Sequence, residues 1–200
     1  MNLRITRNPP TKSRDAELAT PLLVIGAAHT GKSVLAMDQL DRNQPAAIIG
    51  TGDVDEVAFG SRLAELRSLR PPHWHVTESM VDIPKYAEEL MGKYPQVLVD
   101  SLNQWVAATY VLLSPKYSID QIEAQLELEF KRLLELVKKP GKCRLVFVTS
   151  EVGAGTTPPQ PLERAFRLTM GRFNTRIAAA CSSVVLISAG IPLVLKKGHT

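Results

Sequence analysis

The sequence is poor in the residues on which several classes of protein depend. It has only two cysteines, Cys143 and Cys181, among 200 residues. Two thiols so far apart form neither a disulfide framework nor a metal or redox spacing, and they suit a reducing cytosol. Cys181 follows Ala178-Ala179-Ala180 and reads as a small packed residue rather than a nucleophile. The four histidines join no cysteine in a zinc pattern, and no Ser-His-Asp set stands out along the chain. Charge of one sign is scarce as well. A net charge of +4 favours an anionic ligand slightly and is too small to argue for nucleic acid. No apolar run approaches a membrane span. Residues Met1 to Thr20 mix Arg4, Arg7, Lys12 and Arg14 with Asp15 and Glu17. They lack the apolar centre of a signal peptide and are expected to form a flexible extension, ordered only near Pro21. The remainder, 21–200, shows no repeat, low-complexity tract or further boundary, and its length suits one domain with a good-sized core.

Against those absences one stretch organises the chain. Leu22-Leu23-Val24-Ile25 is an apolar run of strand type that ends at Gly26, and Gly31-Lys32-Ser33 opens a helix-like segment from Val34 to Leu40. This is the Walker A pattern in the strand–loop–helix context it needs. Gly26 and Gly31 let the backbone curl closely around a polyphosphate. The amides of Ala27, Ala28, His29 and Thr30 then turn toward one anion-binding concavity, and the helix behind adds its positive end. Lys32 reaches the β- and γ-phosphates of a nucleotide, and the Ser33 hydroxyl is placed to ligate Mg²⁺.

Further apolar runs follow. Ala46-Ala47-Ile48-Ile49-Gly50 reads as a short strand, then a polar helix-like segment spans about Val54 to Leu69, and Arg70-Pro71-Pro72 breaks it before another short strand. Tyr86 to Met91 reads as a helix, Gln96 to Asp100 as a buried strand, and Leu102 to Leu113 as a helix ending before Pro115. Ser118 and Gln121 have capping-box spacing. Ile119, Ile122, Leu126, Phe130, Leu133 and Val137 then mark one apolar helix face, which Pro140-Gly141 stops. Arg144 to Thr149 is a strand, 153–161 a Gly/Pro/Thr loop, Leu162 to Cys181 a helix, and Ser183 to Ser188 and Leu193 to Lys196 two closing strands. Strands alternating with helices predict an α/β fold of the P-loop NTPase type, with a mostly parallel sheet flanked by helices. The final two strands are joined too tightly for a crossover, so that pair is expected to be antiparallel. Ligands in such sheets sit at the carboxyl ends of the strands. Thr51, Asp100 and Ser150-Glu151 are therefore expected to converge with the phosphate loop.

Asp100 follows Val97-Leu98-Val99, the context of a Walker B carboxylate that holds Mg²⁺ directly or through water. A strand-end Asp that caps the next helix has the same appearance. Glu151 either orders a water on Mg²⁺ or contacts an acceptor hydroxyl, or else fixes a turn; Gly153 and Gly155 suit a mobile lid. Arg164, Arg167, Arg172 and Arg176 spread over a broad face of the last helix, and their spacing does not separate a phosphate contact from a solvated surface. His29 lies inside the phosphate loop, and His73 and His75 flank Trp74.

The order of these blocks resembles a known family. The phosphate loop 26–33, Arg70-Pro71-Pro72-His73-Trp74, Val97 to Val106, Val148 to Gly155, and the later Arg164-Ala165-Phe166-Arg167, Gly171-Arg172, Asn174, Arg176 to Ala180 and Ser188 to Pro192 are together similar to the bifunctional adenosylcobinamide kinase/adenosylcobinamide-phosphate guanylyltransferases of cobalamin biosynthesis. The resemblance covers about Leu22 to Lys196. It implies a RecA-like sheet, assembly as a homotrimer, ATP or GTP as co-substrate with Mg²⁺, and a cobinamide-type acceptor. It also implies two reactions: phosphorylation of the aminopropanol hydroxyl of adenosylcobinamide, and transfer of GMP from GTP onto that phosphate through an enzyme histidine. Counting back from Arg70, the position of that histidine is Leu66, and leucine forms no phosphoramidate. The flank before Gly31-Lys32 is His29-Thr30 where the family has Arg-Ser. The expectation is thus a kinase with Lys32, Asp100 and Glu151 at its centre and an impaired guanylyl step. The alternatives are a nucleotide-binding relative without turnover, or a kinase of another small alcohol.

Overall fold

The structure, a computed structural model, describes residues 18–51, 68–79 and 81–198. Its elements in chain order are β1 (Leu22–Gly26), α1 (Lys32–Asp38), β2 (Ala47–Gly50), β3 (His75–Glu78), α2 (Ile83–Met91), β4 (Gln96–Asp100), α3 (Leu102–Leu113), α4 (Ile119–Lys138), β5 (Arg144–Ser150), α5 (Pro161–Ala180), β6 (Ser183–Ser188) and β7 (Ile191–Lys196). The strands form one sheet in the order β3-β2-β4-β5-β1-β6-β7. All neighbours are parallel except β6 and β7, which are antiparallel, as their short connection requires.

The central strands are apolar throughout because both faces of the sheet are covered. Alternate residues divide between two cores. Leu23, Ile49, Val97, Val99 and Phe147 point to the side where α2, α3, α4 and α5 pack. Leu22, Val24, Ile48, Leu98, Val146 and Val148 point to the side of α1, with Ala36, Met37, Leu40 and Trp74. The capping box of α4 is formed: Gln121 N–H donates to Ser118 Oγ at 3.3 Å, and Ser118 N–H donates to Gln121 Oε1 at 2.9 Å.

Several boundaries differ from the sequence reading, each for a local reason. Helix α2 begins at Ile83 rather than Tyr86, because Pro84 falls in its first turn, where a missing N–H costs nothing. Strand β7 begins at Ile191 rather than Leu193. Ala189 and Gly190 both have positive φ, 51° and 80°, so a two-residue turn of the hairpin type reverses the chain at once. Pro192 is tolerated because β7 is an edge strand. Before Pro21, Leu18 already packs against the α1 side of the sheet, and Arg144 Nη2 donates to its carbonyl at 3.3 Å. Residues 1–17, and the Val54–Leu69 segment up to residue 67, lie outside the described residues.

Candidate functional site

The loop 27–31 leaves the sheet at its centre, between β1 and α1. Gly26 is required there by contact. A Cβ on it would sit 2.4 Å from the backbone oxygen of Ile187 on β6 and 3.1 Å from Thr30 Oγ1. Gly31, with φ 94°, is in the left-handed region, as is His29 at 60°. The loop is held from within. Ala27 O accepts from Lys32 Nζ at 2.6 Å and from Thr30 Oγ1 at 2.9 Å. Lys32 is 6% exposed, so its ammonium lies against the loop rather than in bulk water. Ala27, Ala28 and His29 are exposed, leaving the outer arc of the loop open to a ligand.

Beside the loop, Ser33 Oγ donates to Asp100 Oδ1 at 3.2 Å. The two oxygens come from opposite sides of β5, since β4 and β1 are its two neighbours. Mg²⁺ takes hard oxygen ligands and usually keeps waters and phosphate oxygens alongside one or two protein groups. A hydroxyl and a carboxylate in contact next to a phosphate loop fit that preference.

Thr51 also lies at this end of the sheet, but its hydroxyl is not available to a ligand. It is fully buried, donates to Ser101 O at 2.5 Å and accepts from Ser101 N–H at 2.6 Å. Its own N–H donates to Asp100 O at 2.9 Å. Its side chain holds the Asp100–Ser101 junction. Ser101 in turn occupies the N-cap position of α3, directly after Asp100.

Glu151 follows β5 directly, and its N–H donates to Gly26 O at 3.1 Å, so it stands next to the root of the phosphate loop. Its side chain is exposed and Oε1 accepts from Gly153 N–H at 2.6 Å. The loop after it is fastened to α5. Arg167 donates to the carbonyls of Gly153 and Thr156, and Arg164 to those of Pro158 and Pro159. The other two arginines reach α4: Arg172 meets Glu123 at 2.8 Å, and Arg176 meets Glu127 at 2.6 Å while lying over the Phe130 ring. All four have protein partners. Asn174, buried on α5, accepts from Thr149 Oγ1 at 2.9 Å and donates to Ser150 O at 3.1 Å. Thr51 and Asn174 thus brace the ends of β4 and β5. Spacing gave no sign of either role, because both partners are remote in the chain.

The remaining histidine and cysteine candidates fall away from this centre. His73 and His75 sit at the amino end of β3, where His75 pairs with Ala47 at the start of β2. That is the opposite end of the parallel sheet from Asp100 and the phosphate loop. His75 Nε2 contacts Thr77 Oγ1 at 2.9 Å, and its ring stacks on Tyr94. Burial pushes the thiols of Cys143 and Cys181 up to about 11 and about 12, so neither is a ready nucleophile. Leu66 lies outside the described residues. A groove of about 520 Å³ runs along β3, lined by Arg70, Pro71, Pro72, Trp74, Val76 and Glu78.

Known proteins resemble this chain in sequence. The bifunctional adenosylcobalamin biosynthesis protein CobP of Pseudomonas aeruginosa is 30% identical over 176 residues, covering 87% of this chain and 96% of its own length. The protein CobU of Escherichia coli, described in the same words, is 27% identical over 183 residues, with 88% and 99% covered. Among solved structures, the P4 protein of bacteriophage phi6 in complex with ADP overlaps 90% of this chain and 55% of its own, with 12% identity and a TM-score of 0.41. The model of the family described as cobinamide kinase / cobinamide phosphate guanyltransferase matches residues 22–195, from the first residue of β1 to within one residue of the end of β7. The chain belongs to the cobinamide kinase / cobinamide phosphate guanyltransferase family.

Proposed function

We propose that the protein is an adenosylcobinamide kinase, transferring the γ-phosphoryl group of ATP or GTP to the aminopropanol hydroxyl of adenosylcobinamide, with its guanylyltransferase step impaired. The observation that supports this most is the contact of Ser33 with Asp100 beside Lys32, in a chain of this family. Lys32 draws charge from the β- and γ-phosphates. The loop amides orient the chain of phosphates. Ser33 and Asp100 would hold Mg²⁺, which would supply charge neutralisation at the phosphates. Glu151, beside the loop and exposed, orients the acceptor hydroxyl. Phosphoryl transfer asks mainly for such positioning, so the kinase half survives a change that the guanylyl half does not. Leu66 stands where the covalent step needs a nucleophile, and His73 and His75 are at the far end of β3 from the phosphate loop.

The same reading takes the protein as cytoplasmic and as a homotrimer. Among the described residues no helix is long and apolar enough to cross a membrane. Leu193, Val194 and Leu195 expose about half or more of their surface on the outer strand, an apolar patch of the kind a neighbouring subunit covers.

Mass spectrometry of the protein and of the small molecules tests the assignment. The purified chain is incubated with Mg²⁺, adenosylcobinamide and ATP or GTP. A phosphorylated cobinamide with unmodified protein is expected. GMP on the protein, or GDP-cobinamide in solution, would show that another nucleophile serves. Bound nucleotide without product would favour the second reading, a nucleotide-binding relative without turnover, which the leucine at 66 motivates.

Thr51 gives a separate check on Asp100. Thr51→Val keeps the shape but removes both hydrogen bonds to Ser101. It is expected to lower turnover roughly 10–100-fold, as loss of a ligand's support does, and to raise the Mg²⁺ concentration needed for half-maximal rate. Thr51→Ser should restore both. An unchanged Mg²⁺ dependence in the valine variant would mean that Asp100 does not hold the metal through this junction.

A further inference from the structure

We propose that Arg167 is a positioning residue for Glu151: it holds the backbone that holds the carboxylate, and it meets neither phosphate nor acceptor itself. The proposal rests on the kinase reading and adds to it how the acceptor-side carboxylate is kept in place. Of the four arginines on α5, Arg172 and Arg176 pair with carboxylates of α4. Arg167 has only carbonyl partners among the described residues, and both lie in the loop just past Glu151.

The chain of contacts is short. Glu151 Oε1 accepts from Gly153 N–H at 2.6 Å. The approach is close enough that a Cβ on Gly153 would lie 2.8 Å from the same oxygen. Gly153 O accepts in turn from Arg167 Nη2, and Thr156 O accepts from Nη1 at 2.6 Å. One guanidinium thus bridges two carbonyls of the same loop, a task that suits its flat fork and not the point charge of a lysine. The arc between those carbonyls has little else to fix it. Ala154, Gly155 and Thr156 are exposed, and a Cβ on Gly155 would meet nothing within 4 Å.

The other side of Glu151 is fixed independently. Asn174, also on α5, donates to Ser150 O at 3.1 Å, and Glu151 N–H donates to Gly26 O at 3.1 Å. The backbone of Glu151 is therefore set by the sheet, α5 and the root of the phosphate loop. The direction of its side chain is set by Gly153, and hence by Arg167. Among the described residues nothing else donates to this carboxylate, so Oε2 is left for the acceptor hydroxyl. Holding one oxygen turns a long, swinging side chain into a placed group, and misplacement by about 1 Å costs up to roughly a hundredfold in rate.

Single turnovers of the full chain with Mg²⁺, ATP and adenosylcobinamide, read as phosphorylated product, test this alongside titration calorimetry with Mg²⁺ and inorganic tripolyphosphate. Arg167→Leu is expected to slow product formation roughly 10–100-fold while tripolyphosphate binds within about twofold of wild type. Gly153→Pro, which deletes the N–H and leaves Arg167 untouched, should slow it likewise. In a Glu151→Ala background, Arg167→Leu should cost no more than about twofold further, because a residue that acts through another is non-additive with it. Arg167→Leu or Gly153→Pro at the wild-type rate would overturn the proposal. So would a loss that persists undiminished in Glu151→Ala, or a parallel loss of tripolyphosphate binding, because Arg167 would then touch the phosphates itself. A fully active Glu151→Ala would overturn it too, with the kinase reading intact. Wild-type protein that forms no phosphorylated product would instead overturn the kinase reading, and this proposal with it.

Discussion

Lys32→Ala is expected to abolish phosphoryl transfer, by about a thousandfold or more, with the fold intact. Removing one preorganised group that stabilises developing charge costs roughly two to three orders of magnitude, and here the group carries a full charge in a poorly hydrated position. Lys32 is 6% exposed and rests on Ala27 O at 2.6 Å. It is therefore already at the loop before any phosphate arrives, and little rearrangement is needed when a γ-phosphate replaces the carbonyl as its partner. Lys32→Arg should not rescue the rate, since a planar fork does not replace a compact ammonium inside a closed loop. The measurement is the steady-state rate of ADP or GDP release with adenosylcobinamide, alongside circular dichroism of the free protein. A fully active alanine variant would sink the assignment.

Gly26→Ala should be the most damaging added methyl group among the described glycines. Its Cβ meets the Ile187 carbonyl at 2.4 Å for the oxygen and 3.3 Å for the carbon. Both atoms are backbone in a strand paired on its other edge to β7, so neither can swing aside. Strands β1 and β6 must separate instead. Overpacking of this kind costs about 1–3 kcal/mol, and for a domain of this size each kcal/mol lowers the melting temperature by about 2–4 °C. The loop rooted at Gly26 is displaced as well, so tripolyphosphate binding should fall with stability. Gly31 offers a contrast. A Cβ there meets nothing within 4 Å, but φ is 94°, so alanine pays only for the left-handed backbone, about 1–2 kcal/mol. A Gly26→Ala protein that melts like wild type and binds tripolyphosphate normally would contradict the close approach.

The elements most legible in the sequence were those whose signals are local. The β1–loop–α1 unit, the capped helix α4, helix α3 and strand β6 each carry their own periodicity or stop residues within a few positions, and the tight last connection announced an antiparallel pair. The contact of Ser33 with Asp100 spans 67 positions, and it was anticipated only because two motifs each imply a metal. Nothing comparable marked Thr51 or Asn174. Their partners are 50 and about 25 positions away, and a Thr after a strand looks the same whether it faces a ligand or a neighbouring backbone. The arginines of α5 were equally mute, because helical spacing gives the face a residue occupies and not what lies across from it. His73 and His75 became decidable only through register, which set them at the amino end of β3.

Helix α5 is tied at both ends by side chains that grip carbonyl oxygens. Near its start, Arg164 and Arg167 hold the loop that follows Glu151. At its finish, Lys196 of β7 donates to the carbonyls of Ala178, Ala179 and Cys181. A helix is stiff along its axis, so α5 acts as a connecting rod between the outer strand and the Glu151 loop. Its α4 partners, Glu123 and Glu127, serve as the bearing along which it runs. A displacement of β7 would thereby reach the loop that follows Glu151 through α5, without passing through the central strands.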